Sequence, residues 1–139
     1  MKFRVEFLQQ VPQLMTLHFN FEFQEQEFGE FLWPPNKNMP GSIQSLLKIN
    51  GIYKIKCYDR HFLDIKKSLA LSWDEILPKV MESLLLSIYP TDTAEEIEAP
   101  ITRWIDKSGF FQLLPINEKH ELRTFSLAKR KSPDNPPKK

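Results

Sequence analysis

The chain has 139 residues, room for one folded domain with an appendage, and its 41% hydrophobic content with eleven phenylalanines supplies a sizeable core. The formal net charge is +1, so no overall field recruits nucleic acid or an anionic membrane. A single cysteine, Cys57, excludes an internal disulfide framework and points to a reducing compartment, and no apolar run is long enough for a membrane-spanning helix. The opening residues alternate charged and apolar types, unlike the apolar centre of a signal peptide. The expected location is cytoplasmic.

Residues 2–8 and 14–23 alternate with period two. Phe3, Val5 and Phe7 share one face, and Met15, Leu17, Phe19, Phe21 and Phe23 share another. Each pattern predicts a strand with one buried and one wet side, joined as a hairpin through the proline-containing segment 9–13. Residues 24–40 mix acidic residues, Gly29 and three prolines, and read as a long surface loop tucked down by Phe28, Phe31 and Trp33. Pro40 opens a short helix carrying Ile43, Leu46 and Leu47, and Asn50-Gly51 ends it.

A second hairpin follows. Tyr53, Ile55 and Cys57 share one face and Lys54, Lys56 and Tyr58 the other, while Leu63 and Ile65 of the next strand face the core. Matching the core faces sets Tyr58 opposite Phe62, Cys57 opposite Leu63, Ile55 opposite Ile65 and Lys56 opposite Asp64, with a loop of Asp59, Arg60 and His61. Ser72 and Glu75 form a capping box for a helix over 72–89, whose apolar face runs through Trp73, Ile76, Leu77, Val80, Leu84 and Ile88; Tyr89-Pro90 closes it.

Residues 1–90 therefore predict an α+β domain of order β-β-α-β-β-α. It is a four-stranded, mainly antiparallel sheet with two helices on one face. Residues 91–127 read as an extension packing on that domain. Thr93 and Glu96 open helical pieces there through Ile97, Ile101, Trp104 and Ile105, broken by Pro100, and Phe110, Phe111, Leu113 and Leu114 form a further apolar run. Residues 128–139 read as a disordered basic tail.

No catalytic or metal-binding motif stands in the chain, and neither a catalytic residue nor a cofactor is expected. Cys57, on the core side among aliphatic groups, reads as an inert buried thiol. His18 reads as a surface histidine and His61 as a loop residue. The acids Glu22, Glu25, Glu27 and Glu30 lack the alternating oxygen pattern of a cation loop and read as solvated charge. The candidate interaction surface is Tyr58 and Phe62 on the open sheet face, beside Lys54 and Lys56. Such a cluster stacks nucleic-acid bases, anchors a protein partner, or lies beneath Phe110 and Phe111; cover by that segment is the expectation.

The stretch SIQSLLKINGIYKIKCYDRHFLDIKKSLALSWDEILPKVMESLL resembles the N-terminal domain of NifU-like (Nfu) scaffold proteins. Ile49, Gly51 and Ile52 match that family's strand entry. His61, Phe62, Leu63, Ile65 and Lys66 match its following strand, and Trp73, Glu75 and Ile76 the opening of its last helix. Pro12, Leu17 and Phe19 are similar to its first hairpin. The resemblance covers roughly residues 1–90 and implies the protein-contacting half of an iron–sulfur scaffold. In that family the cluster belongs to a CxxC domain, and residues 91–139 hold no cysteine. The expected function is thus a non-enzymatic accessory domain, linked to iron–sulfur cluster assembly without carrying a cluster, with an unidentified protein partner and no membrane role. The alternative is a single-stranded nucleic-acid-binding module on the open face.

Overall fold

Period-two patterning in the first residues becomes a hairpin in the computed structural model, which describes residues 1–87, 93–105, 107–109, 111–114 and 120–127. Strands β1 (Lys2–Leu8) and β2 (Val11–Phe19) pair antiparallel, with Phe3 opposite Phe19, Val5 opposite Leu17 and Phe7 opposite Met15. Pro12 falls where this register slips, so the missing N–H breaks no regular rung. Phe21 and Phe23 lie beyond the strand yet remain buried, clustered with the ring of Phe19.

The segment expected to be a surface loop contains one 3-10 turn, Glu25–Glu27, and a strand, β3 (Gly29–Leu32). Phe28 and Phe31 do pack against the core, whereas Trp33 is 61% exposed. Helix α1 (Gly41–Leu47) starts after Pro40 and buries Ile43, Leu46 and Leu47. Gly51 follows it with φ +95°, a backbone conformation that favours glycine, and a Cβ there would press on the end of the Leu71 side chain.

Strands β4 (Ile52–Asp59) and β5 (Phe62–Lys67) form the second hairpin. Ile55 opposes Ile65 and Lys56 opposes Asp64, as the parity argument requires. Beyond them the register shifts. Asp59, not Tyr58, opposes Phe62, so the loop shortens to Arg60 and His61 and a bulge places Cys57 and Tyr58 against Leu63. β5 also pairs β2, with Leu63 opposite Leu17 and Phe62 opposite His18. Helix α2 (Trp73–Ser87) opens on the expected capping box: Ser72 Oγ accepts from Glu75 N at 3.2 Å, and Glu75 Oε1 accepts from Ser72 N at 3.0 Å. Ile76, Leu77, Val80, Met81, Leu84 and Leu85 are its buried face. The expected helix end at Ile88 to Pro90 lies outside the described residues.

The four-stranded, mainly antiparallel sheet is overturned. The described residues form one mixed sheet of nine strands. Its main path runs β3-β4-β5-β2-β1 and continues into β6 (Thr93–Glu96) and β9 (Thr124–Ser126). The segment expected to be helical is instead β6 and β7 (Ile101–Ile105), both parallel to β1, and β8 (Phe111–Leu114) pairs β7 antiparallel. The reason is the second edge of β1. Its unpaired backbone groups accept strands, and this tertiary pairing overrides the helical preference of Thr-Ala-Glu-Glu. The 128–139 tail lies outside the described residues.

The inward faces of β1, β2, β4 and β5 join both helices in a single apolar cluster, where Phe3, Val5, Met15, Leu17, Ile55, Leu63 and Ile65 have no exposed surface. Each such large side chain contributes about 1.5–3 kcal/mol on burial. The helices therefore cover one side of the central strands, and the even-numbered positions of β2 and β5 face away from them.

Candidate interaction surface

The outward face is built by strand parity. β4 contributes Lys54 and Lys56, β5 Phe62, Asp64 and Lys66, β2 Thr16 and His18, and β1 Arg4 and Glu6, in register across the sheet. The bulge adds Tyr58, which is 60% exposed, beside Phe62 at 41%. The expected cover by Phe110 and Phe111 falls on side chains outside the described residues. Phe110 lies outside the described residues, and the backbone of Phe111 belongs to β8, four strands away from β5 at about 4.8 Å per strand.

Local contacts fix the geometry of the face. Lys56 Nζ stands 5.2 Å from the centre of the Tyr58 ring, a cation–π arrangement. Association with Tyr58, helped by the carboxylates of Glu30 and Asp64, holds the Lys56 ammonium above the ordinary lysine range. His18 meets Phe62 edge-on with ring centroids 4.5 Å apart. Lys54 Nζ lies 2.8 Å from Glu30, and Lys56 Nζ lies 3.8 Å from the same carboxylate. The hydrogen bond from Lys54 lowers the Glu30 pKa.

Glu30 is a residue that sequence reasoning misplaced. As part of a loop it reads as solvated charge; as part of β3 it is the cross-strand partner of Lys56 and an element of the surface. The other acids of that segment go separate ways. Glu22 pairs Arg60 at 3.1 Å, and the buried Glu27 accepts from Gln24 N and from Ser42 Oγ. Among the described residues no three His, Cys, Asp or Glu side chains come together as metal ligands.

Further along the face, His18 Nε2 lies 2.9 Å from Glu6, whose other oxygen lies 3.3 Å from Arg103 of β7. Thr16 donates to Asp64 at 2.7 Å. His61 does not join the surface cluster; its Nδ1 lies 2.9 Å from the carbonyl oxygen of Phe21. A second cluster lies on the core side of β6. Glu96 has a fully buried side chain that receives Arg123 at 2.9 and 3.0 Å and His120 at 2.7 Å. Partners 24 and 27 residues apart leave no local spacing for sequence reasoning to detect.

Cys57 is fully buried. Burial, reinforced by Glu27, Asp59 and Asp64, pushes its thiol up to about 12. At neutral pH the thiolate fraction is on the order of one in 10^5. We expect the folded protein to resist Ellman's reagent and to release one thiol only in denaturant. Rapid stoichiometric labelling of the native chain contradicts this placement.

No family model and no curated protein matches the chain. Among solved structures, it is similar to the crystal structure of protein SAV1430 from Staphylococcus aureus, at 19% identity and TM-score 0.48, covering 60% of this chain and 99% of that one. It is also similar to the solution structure of SeR13 from Staphylococcus epidermidis, at 24% identity and TM-score 0.40, covering 55% of this chain and 86% of that one. The names of these proteins state no activity, and likeness of this degree carries no argument about function. No helix among the described residues is long and apolar enough to cross a membrane.

Proposed function

We propose that this chain is a non-enzymatic docking domain that receives a protein partner on its open sheet face, with Tyr58 and Phe62 as anchors and Lys54 and Lys56 beside them. The observation that carries this reading is the exposure of two large aromatic side chains, 60% and 41%, near the same end of the paired strands β4 and β5. Exposed aromatics on a rigid support cost little entropy to immobilise and supply much of the energy of protein contacts. The non-enzymatic part rests on the histidines and the thiol. His18, His61 and His120 are each committed to a partner, and Cys57 is buried and protonated.

The link to iron–sulfur cluster assembly rests on the resemblance of residues 1–90 to the NifU-like N-terminal domain. The residues present do not fit a cluster. Ligation asks for several thiolates, and the single thiol of the chain is closed inside the core. The domain's part in such a process is therefore contact rather than carriage. A cytoplasmic setting accords with an unpaired buried thiol. The second reading, single-stranded nucleic acid stacked on Tyr58 and Phe62, draws support from the adjoining lysines but meets Glu30 in their midst.

The test is capture of purified iron–sulfur assembly proteins by the full chain and by the Tyr58→Ala/Phe62→Ala variant. The variant is expected to keep its melting temperature and to bind about thirtyfold more weakly. Equal binding by both proteins removes the face from the proposal, and no binding by either removes the pathway.

A further inference from the structure

The lysines of the open face are out of balance with its acids. Lys54 and Lys66 are direct cross-strand partners, so two like-charged side chains leave the sheet from neighbouring positions, an arrangement that costs stability when nothing intervenes. Glu30 answers Lys54 at 2.8 Å and Lys56 at 3.8 Å. Asp64, the other carboxylate of the row, accepts the Thr16 hydroxyl, and no described carboxylate lies within ion-pair distance of Lys66. Lys66 and Phe62 occupy the same face of β5 four residues apart, a span of about 13 Å.

We infer that the partner docks an acidic, extended segment here, one carboxylate meeting the Lys54–Lys66 pair and an aromatic or aliphatic side chain, about four residues away, meeting Tyr58 and Phe62. The inference rests on the docking reading above and adds the chemistry of what docks. A nucleic-acid strand fits less well. Its affinity comes from several free cations along successive phosphates, and Glu30 lies within ion-pair distance of two of the three lysines, feels the charge of the third, and repels a phosphodiester. A peptide carboxylate needs only the cation left over.

Three short synthetic peptides test this, identical in their Phe and Leu positions and carrying Glu, Gln or Lys at the carboxylate positions. Each is titrated into the isotope-labelled full chain and followed by amide chemical shifts. The Glu peptide is expected to move the signals of Lys54, Lys56, Phe62 and Lys66, to bind up to about tenfold tighter than the Gln peptide, and to weaken with salt. Lys66→Gln should lower Glu-peptide affinity by about three- to tenfold, leave Gln-peptide binding unchanged and not lower the melting temperature. Equal affinity for the Glu and Gln peptides at this face overturns the acidic partner while the docking surface stands. No shift with any peptide, or shifts confined elsewhere, overturns both. Preferential binding of an oligothymidylate strand, lost in Lys66→Gln, overturns the inference and assigns the face to nucleic acid.

Discussion

Phe3→Ala is expected to lower the unfolding free energy by about 3–5 kcal/mol, a large share of the roughly 5–15 kcal/mol that a domain possesses. Phe3 has no exposed surface and stands between Phe19 of β2 and Glu96 of β6, joined on both sides of β1. Its ring lies 6.1 Å from that of Phe125 in β9. Removing it opens a cavity where the hairpin, the C-terminal strands and the helices meet. Urea unfolding followed by circular dichroism measures the effect, with an unchanged slope marking a loss of stability rather than of compactness. A loss below about 1 kcal/mol would show that this junction relaxes freely.

Glu96→Ala is expected to cost about 3–5 kcal/mol by a different route. Its carboxylate is buried on the core side of β6 and satisfies Arg123 and His120, so truncation leaves a half-buried guanidinium with only the exposed Asp74, 3.8 Å away, to answer it. Hydrogen exchange should show β9 opening first, because Arg123 immediately precedes it. The pH dependence has a definite sign. Burial by itself would raise the Glu96 pKa, but hydrogen bonds from Arg123 and His120 outweigh it and the folded-state value falls below the ordinary 4.5. The group's contribution is therefore complete above pH 4.5 and is lost as pH falls through the lower folded value. Glu96→Gln should reduce that acid sensitivity. An acid unfolding curve unchanged by the substitution contradicts the assignment.

What the sequence disclosed depends on how much of each element is dictated locally. The parity of residues 3–23 is legible because each strand buries one side and wets the other, and every odd-numbered apolar position from Met15 to Phe23 is buried. The capping box at Ser72 is legible because both its hydrogen bonds close within three residues. β3 is not, since four residues give no alternation to count and its strand character comes from lying against β4. β6 is misread for the opposite reason. Ala94 and the two glutamates prefer a helix in isolation, and the vacant side of β1 decides otherwise. At the candidate surface, parity places Lys54, Lys56 and Phe62 on the outer face. The bulge beside Leu63 is invisible to it because an extra residue leaves no mark in an alternating pattern.

The pairing of β1 on both sides alters the meaning of any boundary near residue 90. The mainly antiparallel domain suggested by residues 1–90 ends before β6 and β7, the strands that close the second side of β1. A fragment stopped there keeps both helices and the open face, yet leaves a row of donors and acceptors bare along one of its most deeply placed strands. It would be the self-adhesive form of the protein, adding copies of itself along a ladder that the longer chain keeps occupied.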